Sequence, residues 1–387
     1  MNRRLDLVEP SKSVTLLAKA KAMQAVDPTV INMTAGEPDF PTPQPICDVV
    51  TAELAKGNTH YSDPKGNPSL RNALAKKLNE ENGAPFTADD ILVTPGAKYA
   101  VFVAIQALLN EGDEALWLTP GWVSYPSMVQ IAGGVPKAIH LKYEDNYSIS
   151  YDLLAEQASE KTKLLIINFP NNPTGKILSD KDMEELKRFL RDYPQVIVIS
   201  DEIYEKIIYD GNVVKSIAAD PEFFERTIVI NGFSKASAMT GWRIGYLACA
   251  PALYKYIMKI YQHSISCVSV FLQEGAVKAL ECVEETEAMR VQFEKRRNIL
   301  VEGLNKIPGV EFVAPEGAFY AWVKFDTDLD SETVCNRLLD EAGIAGVPGG
   351  AYGEEGVCCV RFSFATSEDV IRKMIDKLMI NMNKVLY

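Results

Sequence analysis

The chain has 387 residues, of which 47% are apolar, 24% charged and 9% aromatic. This is the composition of an ordinary globular protein, and it excludes a disordered or collagen-like chain. Its 52 acidic and 40 basic side chains leave a formal net charge of −12, a sign that repels nucleic-acid phosphates and anionic membrane surfaces. We therefore expect neither nucleic acid nor a membrane among its partners.

The cysteines and histidines further limit the kinds of protein that the sequence can encode. Seven cysteines are scattered through the chain without a C-x-x-C pair, which predicts reduced thiols and a cytoplasmic protein. The three histidines are far apart and no H-E-x-x-H occurs, so we expect no metal site. No run approaches the roughly 18 apolar residues of a membrane span, and the N-terminus lacks the apolar core of a signal peptide.

In chain order, the pattern predicts a helix over 11–25 and a Pro-rich segment over 36–45, either of which can join the large or the small domain. Short aliphatic runs then alternate with helical patterns, which is typical of βαβ units and a mostly parallel sheet. We predict a helix over 98–109 and another over 179–191, the second with Ser179 as N-cap and Asp182 three residues on. The predicted parallel strands are 91–93, 115–118, 164–167, 196–199 and 227–230.

A change of pattern near residue 280 predicts a second domain. A strand over 244–249 follows its predecessor so closely that we expect it to pair antiparallel. Beyond it come a long charged helix over 281–304, strands near 319–323 and 360–364, and a terminal helix from Ser367. We predict an N-terminal arm and small-domain segment over 1–45, a large domain over 46–280 and a small α+β domain over 281–387.

Polar motifs follow the predicted strands at their carboxyl ends, where open α/β sheets bind ligands. Taken singly, each has an ordinary structural explanation: a turn before a helix, a packing indole, a turn-building amide, an ion-paired carboxylate or a solvated lysine. The motifs are TPGAKYA (94–100), TPGWVSY (119–125), NFPNNPTG (168–175), SDEIYE (200–205) and NGFSKASAMTGWRIG (231–245).

Together these motifs supply the groups that pyridoxal phosphate requires. A lysine forms the Schiff base, an acid keeps the pyridine nitrogen protonated, an aromatic ring stacks on the cofactor, and a helix N-terminus binds its phosphate. Lys235, Asp201 and Trp122 carry the first three roles, and the turn at Gly96 opens a helix for the fourth. The set, and no single member of it, indicates this cofactor.

The sequence also resembles the class I aminotransferases, pyridoxal phosphate enzymes of fold type I, in the branch that holds many bacterial aspartate aminotransferases. This resemblance implies an α/β large domain with a mostly parallel seven-stranded sheet, a smaller α+β domain, and a homodimer. The motifs that carry it occur in the family's order: NMTAGEPDF, YSDPKGNPSLR, TPGAKYA, PGWVSYP, PNNPTG, SDEIYE, SKASAMTGWRIG, EGAFYAW and VRFSFATS.

The resemblance assigns roles by position. It implies that Lys235 is the Schiff-base lysine and the base that moves the substrate proton, that Asp201 holds the pyridinium proton, and that Tyr204 bonds the phenolate oxygen with Asn172. The implied phosphate ligands are the backbone amides of Ala97 and Lys98, the Ser234 hydroxyl, Arg243 and, from a neighbouring subunit, Tyr61. Gly96 is implied as a further cofactor-binding residue. The implied substrate-binding residues are Gly36, Lys98, Trp122, Asn172 and Arg361, with Arg361 gripping the α-carboxylate in a bidentate pair.

Substrate choice stays open at this point. Lys98 favours aspartate with 2-oxoglutarate in a ping-pong reaction, whereas a carboxylate at Glu9 repels an acidic side chain. Two positions depart from the branch's pattern. Ser237 stands where the branch often has an aromatic residue, and Gly232 stands where some branches have a phosphate-binding serine, so the departures affect the implied phosphate contacts. The alternatives are a transaminase for aromatic, prephenate or other donors and a β-lyase on the same fold. A binding or regulatory module is disfavoured, because every catalytic position is filled.

Overall fold

The computed structural model describes residues 5, 6, 8, 22 and 24–387. The helix predicted over 11–25 lies almost wholly outside the described residues, and so does Glu9. The strands are β1 (Ile31–Asn32), β2 (Ile91–Thr94), β3 (Glu114–Thr119), β4 (Val135–His140), β5 (Thr162–Asn168), β6 (Ile197–Asp201), β7 (Thr227–Gly232), β8 (Gly245–Cys249), β9 (Val310–Phe312), β10 (Tyr320–Phe325), β11 (Ile344–Ala345), β12 (Val347–Pro348) and β13 (Cys359–Ser363).

The helices are numbered in chain order. Within the described residues they are α1 (Gln44–Ala55), α2 (Pro68–Asn82), α3 (Ala97–Leu108), α4 (Ser124–Ala132), α5 (Tyr151–Gln157), α6 (Asp180–Asp192), α7 (Pro251–Tyr261), α8 (Val270–Glu281), α9 (Val283–Leu304), α10 (Ser331–Ala342) and α11 (Glu368–Leu386). No helix in this part of the chain is long and apolar enough to cross a membrane.

The main sheet has seven strands in the order β2-β8-β7-β6-β5-β3-β4. The pairs from β7 through β4 are parallel, while β8 runs antiparallel to both of its neighbours. The mostly parallel sheet and its one antiparallel strand are therefore confirmed. β4 was not predicted: it is an edge strand, largely part-exposed and carrying Pro136, so it lacks the continuous apolar run of a buried parallel strand.

Local capping explains where two helices begin. At α6 the Ser179 hydroxyl accepts from the Asp182 backbone N–H while the Asp182 carboxylate accepts from the Ser179 N–H, which is the predicted capping box. At α11 the Ser367 side chain caps the first turn, as its predicted start requires. α3 instead begins at Gly96, whose φ of 87° is accessible to glycine at little cost.

The C-terminal sheet has four antiparallel strands in the order β12-β13-β10-β9. The long helix predicted over 281–304 is observed as α9, which begins two residues later at Val283, because α8 ends at Glu281. Cys282 between them has a ψ of 55°, which breaks the helical path. β9, α10, β11 and β12 are short or amphipathic elements that the sequence pattern did not single out.

The segment over 31–45 contacts the C-terminal sheet, where the backbone N–H of Ser363 in β13 donates to the Met33 carbonyl at 2.7 Å, and the loop that follows β7 of the main sheet. β1 pairs in parallel with β11, and the Asp39 carboxylate accepts two bonds from Arg296 of α9 at 2.6 and 3.0 Å. On the other side, the Thr42 hydroxyl donates to the backbone carbonyl of Ala238 at 2.8 Å. The Pro-rich segment is thereby fixed between the two halves of the fold.

Candidate active site

A cavity of about 360 Å³ lies at the carboxyl ends of the central strands, closed on one side by β10 and β13. Because parallel strands end at one edge of the sheet, motifs far apart in sequence meet there. The sequence-predicted residues that line the cavity are Gly36, Ala97, Lys98, Trp122, Asn172, Asp201, Tyr204, Ser234, Lys235, Arg243 and Arg361.

Two predicted residues are placed differently. Gly96 lies directly behind the cavity wall, at the start of α3. Tyr61 is not among the lining residues, and 88% of its surface is exposed. Tyr61 therefore takes no part in the cavity of its own chain.

Lys235 follows β7 by three residues and is partly buried in the cavity. Its ammonium donates to the backbone carbonyl of Gly36 and lies 5.8 Å from the ring centres of both Tyr204 and Phe319. Burial lowers the pKa of Lys235 to about 8, an effect that the nearby Glu37 carboxylate opposes. A far larger fraction of this amine is neutral at pH 7 than for a surface lysine, whose pKa is about 10.4.

Asp201 is the last residue of β6 and is 5% exposed. Its carboxylate accepts from the Tyr125 hydroxyl at 2.8 Å and from the backbone N–H of Ile203 at 3.3 Å. Burial raises the pKa of Asp201 to about 6, and these two donors oppose the rise. The side chain is thus held in one orientation and is mostly ionised at neutral pH.

The start of α3 forms an anion-binding corner. The N–H groups of a first helical turn have no intrahelical acceptor, and the helix dipole favours negative charge there. Arg243 packs against this turn so closely that a Cβ on Gly96 would lie 2.5 Å from its guanidinium. The Arg243 guanidinium is held by the backbone carbonyl of Thr240 at 2.9 Å. Ser234 lines the same cavity.

Lys98 and Trp122 form one face of the cavity. The Lys98 ammonium lies 5.2 Å from the centre of the Trp122 ring, and burial, with Arg243 as a second cause, lowers the pKa of Lys98. The indole also packs edge-on against Tyr125, with ring centres 5.1 Å apart. The cavity therefore offers an aromatic surface beside a cation.

Arg361 of β13 is 5% exposed. Its guanidinium donates to the side-chain oxygen of Asn172 at 3.1 Å and to the backbone carbonyl of Thr34 at 2.8 Å. Asn172 is itself fixed through its backbone N–H, which donates to the Asn168 side chain at 3.1 Å. No acidic side chain is among these contacts, which suits a site for an external carboxylate.

Sequence reasoning missed several residues of this cavity. Tyr125, which bonds Asp201, lies in the TPGWVSY motif one turn after Trp122, and Asn168 is the last residue of β5; their positions were the available signal. Tyr320 shares a hydroxyl–hydroxyl bond of 3.0 Å with Tyr204. It comes from the C-terminal sheet, so nothing local to the strand ends indicates it. The other lining residues that were missed are Thr34, Glu37, Ile203 and Thr240.

Fold and cavity together define a class: an α/β protein with a corner suited to an anion beside a partly buried, weakly basic lysine. The family is defined by comparison. Residues 28–378 match the model of the family described as "Aminotransferase class I and II", and the chain belongs to this family. It is a pyridoxal phosphate-dependent transaminase of fold type I.

The relatives are similar over nearly their whole length. The aspartate aminotransferase of Thermotoga maritima is 40% identical over 378 residues, 98% of each chain. A probable aspartate/prephenate aminotransferase of Aquifex aeolicus is 39% identical over 374 residues, 95% of this chain and 94% of that one. The crystal structure of the aromatic aminotransferase from Pyrococcus horikoshii matches with a TM-score of 0.91 at 37% identity, covering 99% of both chains.

Proposed function

We propose that the enzyme takes the amino group of L-aspartate and gives it to 2-oxoglutarate in a ping-pong reaction. The observation that carries this proposal is the pair of cationic side chains, Arg361 and Lys98, lining one cavity. A substrate with two carboxylates can pair with both cations, whereas an aromatic donor leaves Lys98 without a counter-charge. Both proposed substrates are dicarboxylates.

The residues present fit pyridoxal phosphate. The tight approach of Arg243 to Gly96 at the start of α3 supports phosphate binding by the backbone amides of Ala97 and Lys98, the Ser234 hydroxyl and Arg243. Asp201 would hold the ring nitrogen, Trp122 would stack on the ring, and Asn172 and Tyr204 would bond the ring oxygen. When bound, the cofactor supplies a carbonyl carbon for the lysine and an electron-withdrawing ring that acidifies the substrate Cα–H.

The side chains that line the cavity have separate roles in the proposed reaction. Asp201, with a pKa of about 6, keeps a negative charge at neutral pH and thereby stabilises a proton on the ring nitrogen. Lys235, with a pKa of about 8, accepts and returns a proton at Nζ near neutral pH. Arg361 binds the α-carboxylate, helped by Asn172 and the backbone of Gly36. Lys98 binds the distal carboxylate, with Trp122 forming the wall beside it.

Aromatic and prephenate donors are the main alternatives, together with a β-lyase reaction on the same fold. The relatives bear aspartate, aspartate/prephenate and aromatic names, so similarity alone does not choose among them. Lys98 favours aspartate, because its ammonium, which lies near the positive charge of Arg243, gains a counter-charge from a second carboxylate. The effect of Glu9 on acidic substrates stays a prediction.

We also propose that the enzyme is a homodimer in which Tyr61 reaches the phosphate site of the neighbouring subunit. Tyr61 is 88% accessible in the single chain and lies outside the cavity of its own chain, as a side chain that reaches a neighbouring subunit would. The division into 1–45, 46–280 and 281–387 is proposed on the two separate sheets. A cytoplasmic location is proposed on the seven cysteines, none of which forms a disulfide.

Lys98→Ala tests the substrate assignment. We expect kcat/KM for aspartate to fall about 10- to 100-fold, the cost of losing a charge-assisted contact, while kcat/KM for phenylalanine changes less than about threefold because phenylalanine has no distal carboxylate. Lys142→Ala removes an exposed lysine and serves as the matched control. An equal loss for both donors, or none for aspartate, would overturn the assignment.

A further inference from the structure

Arg361 is contacted by a tyrosine that is not among the residues lining the cavity. The centre of its guanidinium lies 4.3 Å from the ring centre of Tyr320 and 5.4 Å from that of Tyr352. Tyr320 lines the cavity, but Tyr352 does not. Tyr352 is 1% exposed, and its ring packs edge-on against Trp322 with centres 5.5 Å apart.

Tyr352 belongs to the segment 349–356, which docks on the carboxyl ends of β3 and β4. The backbone N–H of Gly121, next to Trp122, donates to the Tyr352 carbonyl at 2.9 Å. The Thr119 hydroxyl donates to Glu355 at 3.0 Å, and His140 contacts the same carboxylate. Gly353 lies between Tyr352 and Glu355 in the chain. It is so close to Thr119 that a Cβ on this glycine would approach the threonine Cβ to 2.8 Å.

The contacts of Arg361 leave its orientation incompletely fixed by hydrogen bonds. Asn172 and Thr34 accept from the two terminal nitrogens, but the buried Nε has no partner within the described residues. Hydrogen bonds act in the guanidinium plane, whereas aromatic rings act on its faces. A bidentate contact with a carboxylate depends on the tilt of the guanidinium plane. The hydrogen bonds leave this tilt free, so the aromatic rings control it.

We propose that Tyr352 is a positioning residue for substrate recognition: its ring holds the guanidinium of Arg361 at the angle that receives the α-carboxylate. The same residue anchors Gly121, so docking of the segment 349–356 couples the α-carboxylate site to the loop that carries Trp122. This inference rests on the proposed role of Arg361. It adds a residue that lies outside the cavity and acts through another side chain.

Tyr352→Leu and Tyr352→Phe test this proposal in the cofactor-loaded enzyme. Leucine removes the ring, and we expect KM for aspartate and for 2-oxoglutarate to rise together about tenfold, because both carry the carboxylate that Arg361 binds. We expect kcat to change less than about twofold. Phenylalanine keeps the ring, so both KM values should stay within about twofold of wild type. Tyr147→Leu removes a buried tyrosine of the same core cluster and is the matched control.

A double-mutant cycle with Arg361→Lys separates positioning from a structural effect. Lysine lacks the planar face, so we expect Tyr352→Leu to change KM less than about twofold in the Arg361→Lys background. An equal rise of KM in both backgrounds, or a rise in Tyr352→Phe as large as in Tyr352→Leu, would overturn the proposal. If Arg361→Lys alone leaves both KM values unchanged, the proposed role of Arg361 fails, and this inference fails with it.

Discussion

At the scale of single residues, one cause shifts the pKa values of the two central ionisable groups in the direction that favours their neutral forms. Burial disfavours charge, so it raises the pKa of Asp201 to about 6 and lowers that of Lys235 to about 8. The two values bracket neutral pH, which leaves Asp201 mostly ionised and Lys235 able to exchange a proton. Acid–base catalysis at neutral pH requires groups of this kind.

Tyr125→Phe tests the control of the Asp201 charge. The Tyr125 hydroxyl donates to the carboxylate and so lowers its pKa. Removing it should move the pKa of Asp201 further above 6, which enlarges the neutral fraction below pH 7. We expect kcat/KM to fall roughly threefold to tenfold at pH 6.5 and less than about twofold at pH 8.5. The pKa itself is measured by NMR of ¹³C-labelled aspartate carboxyls in the apoenzyme.

The matched control is Tyr254→Phe. The Tyr254 hydroxyl is also buried and bonds a backbone carbonyl, that of Ile91, at 3.4 Å, but it does not contact Asp201. This variant should keep the wild-type pH profile. An unchanged or lower pKa of Asp201 in Tyr125→Phe would show that the hydroxyl does not stabilise the ionised carboxyl.

The family resemblance supplied Arg361, whereas sequence position was enough to predict that Lys235 and Asp201 meet at one sheet edge, because each ends or follows a strand whose place in the fold is predictable. It was not enough for Tyr125 and Tyr320. Their contacts with Asp201 and Tyr204 depend on how α4 and β10 pack on the sheet. Packing of this kind is a tertiary property that motif spacing does not encode.

At the scale of elements, the first turn of α3 is the feature on which the proposed phosphate site depends. Its N–H groups, the positive φ of Gly96 and the guanidinium of Arg243 meet at one corner. A helix N-terminus without the arginine is a weaker anion site, because the dipole effect is modest alone. The glycine is required here for space as well as for backbone conformation.

Gly96→Ala separates these two requirements. The new Cβ would displace Arg243, so we expect the Kd for pyridoxal phosphate to rise about tenfold or more. Gly112→Ala is the matched control: Gly112 has a similar φ of 83° but open space around its Cβ position. Both variants should lose about 1 kcal/mol of stability from backbone strain. Equal cofactor affinity in the two variants, measured by fluorescence titration, would contradict the account.

The elements that the sequence predicted share one property: an unbroken run of apolar residues in the strands, or an unbroken helical periodicity in the helices. The buried strands of the main sheet and the capped helix α6 are of this kind. The edge strand β4 was not predictable, since it is polar and part-exposed. Two-residue strands such as β11 exist only through their partners.

At the scale of the whole molecule, the site is assembled from both sheets and from the segment that joins them. Arg361 comes from the C-terminal sheet, Asp201 and Lys235 from the main sheet, and Thr34 and Gly36 from the joining segment. The ion pair of Asp39 with Arg296 fixes that segment to α9. The geometry of the site therefore depends on how the two halves of the fold are held together.

Mixing two inactive variants tests the proposed dimer. Lys235→Ala subunits keep Tyr61, and Tyr61→Ala subunits keep Lys235, so each mixed dimer would contain one intact site. Random reassociation of equal amounts should restore about a quarter of the wild-type sites in a two-fold symmetric dimer. Activity is measured after unfolding and refolding the mixture, with each variant refolded alone as the control. No gain over the separate variants would contradict a shared site.

The central claim is that this chain moves amino groups on pyridoxal phosphate with aspartate and 2-oxoglutarate as partners. The absorption spectrum of the cofactor-loaded protein tests it most directly, recorded before and after L-aspartate and then after 2-oxoglutarate. The account predicts a visible band that bleaches with aspartate and returns with the oxo acid, and no such cycle in Lys235→Ala. A band that ignores aspartate but responds to phenylalanine would contradict the substrate assignment, and a wild-type cycle in Lys235→Ala would contradict the mechanism.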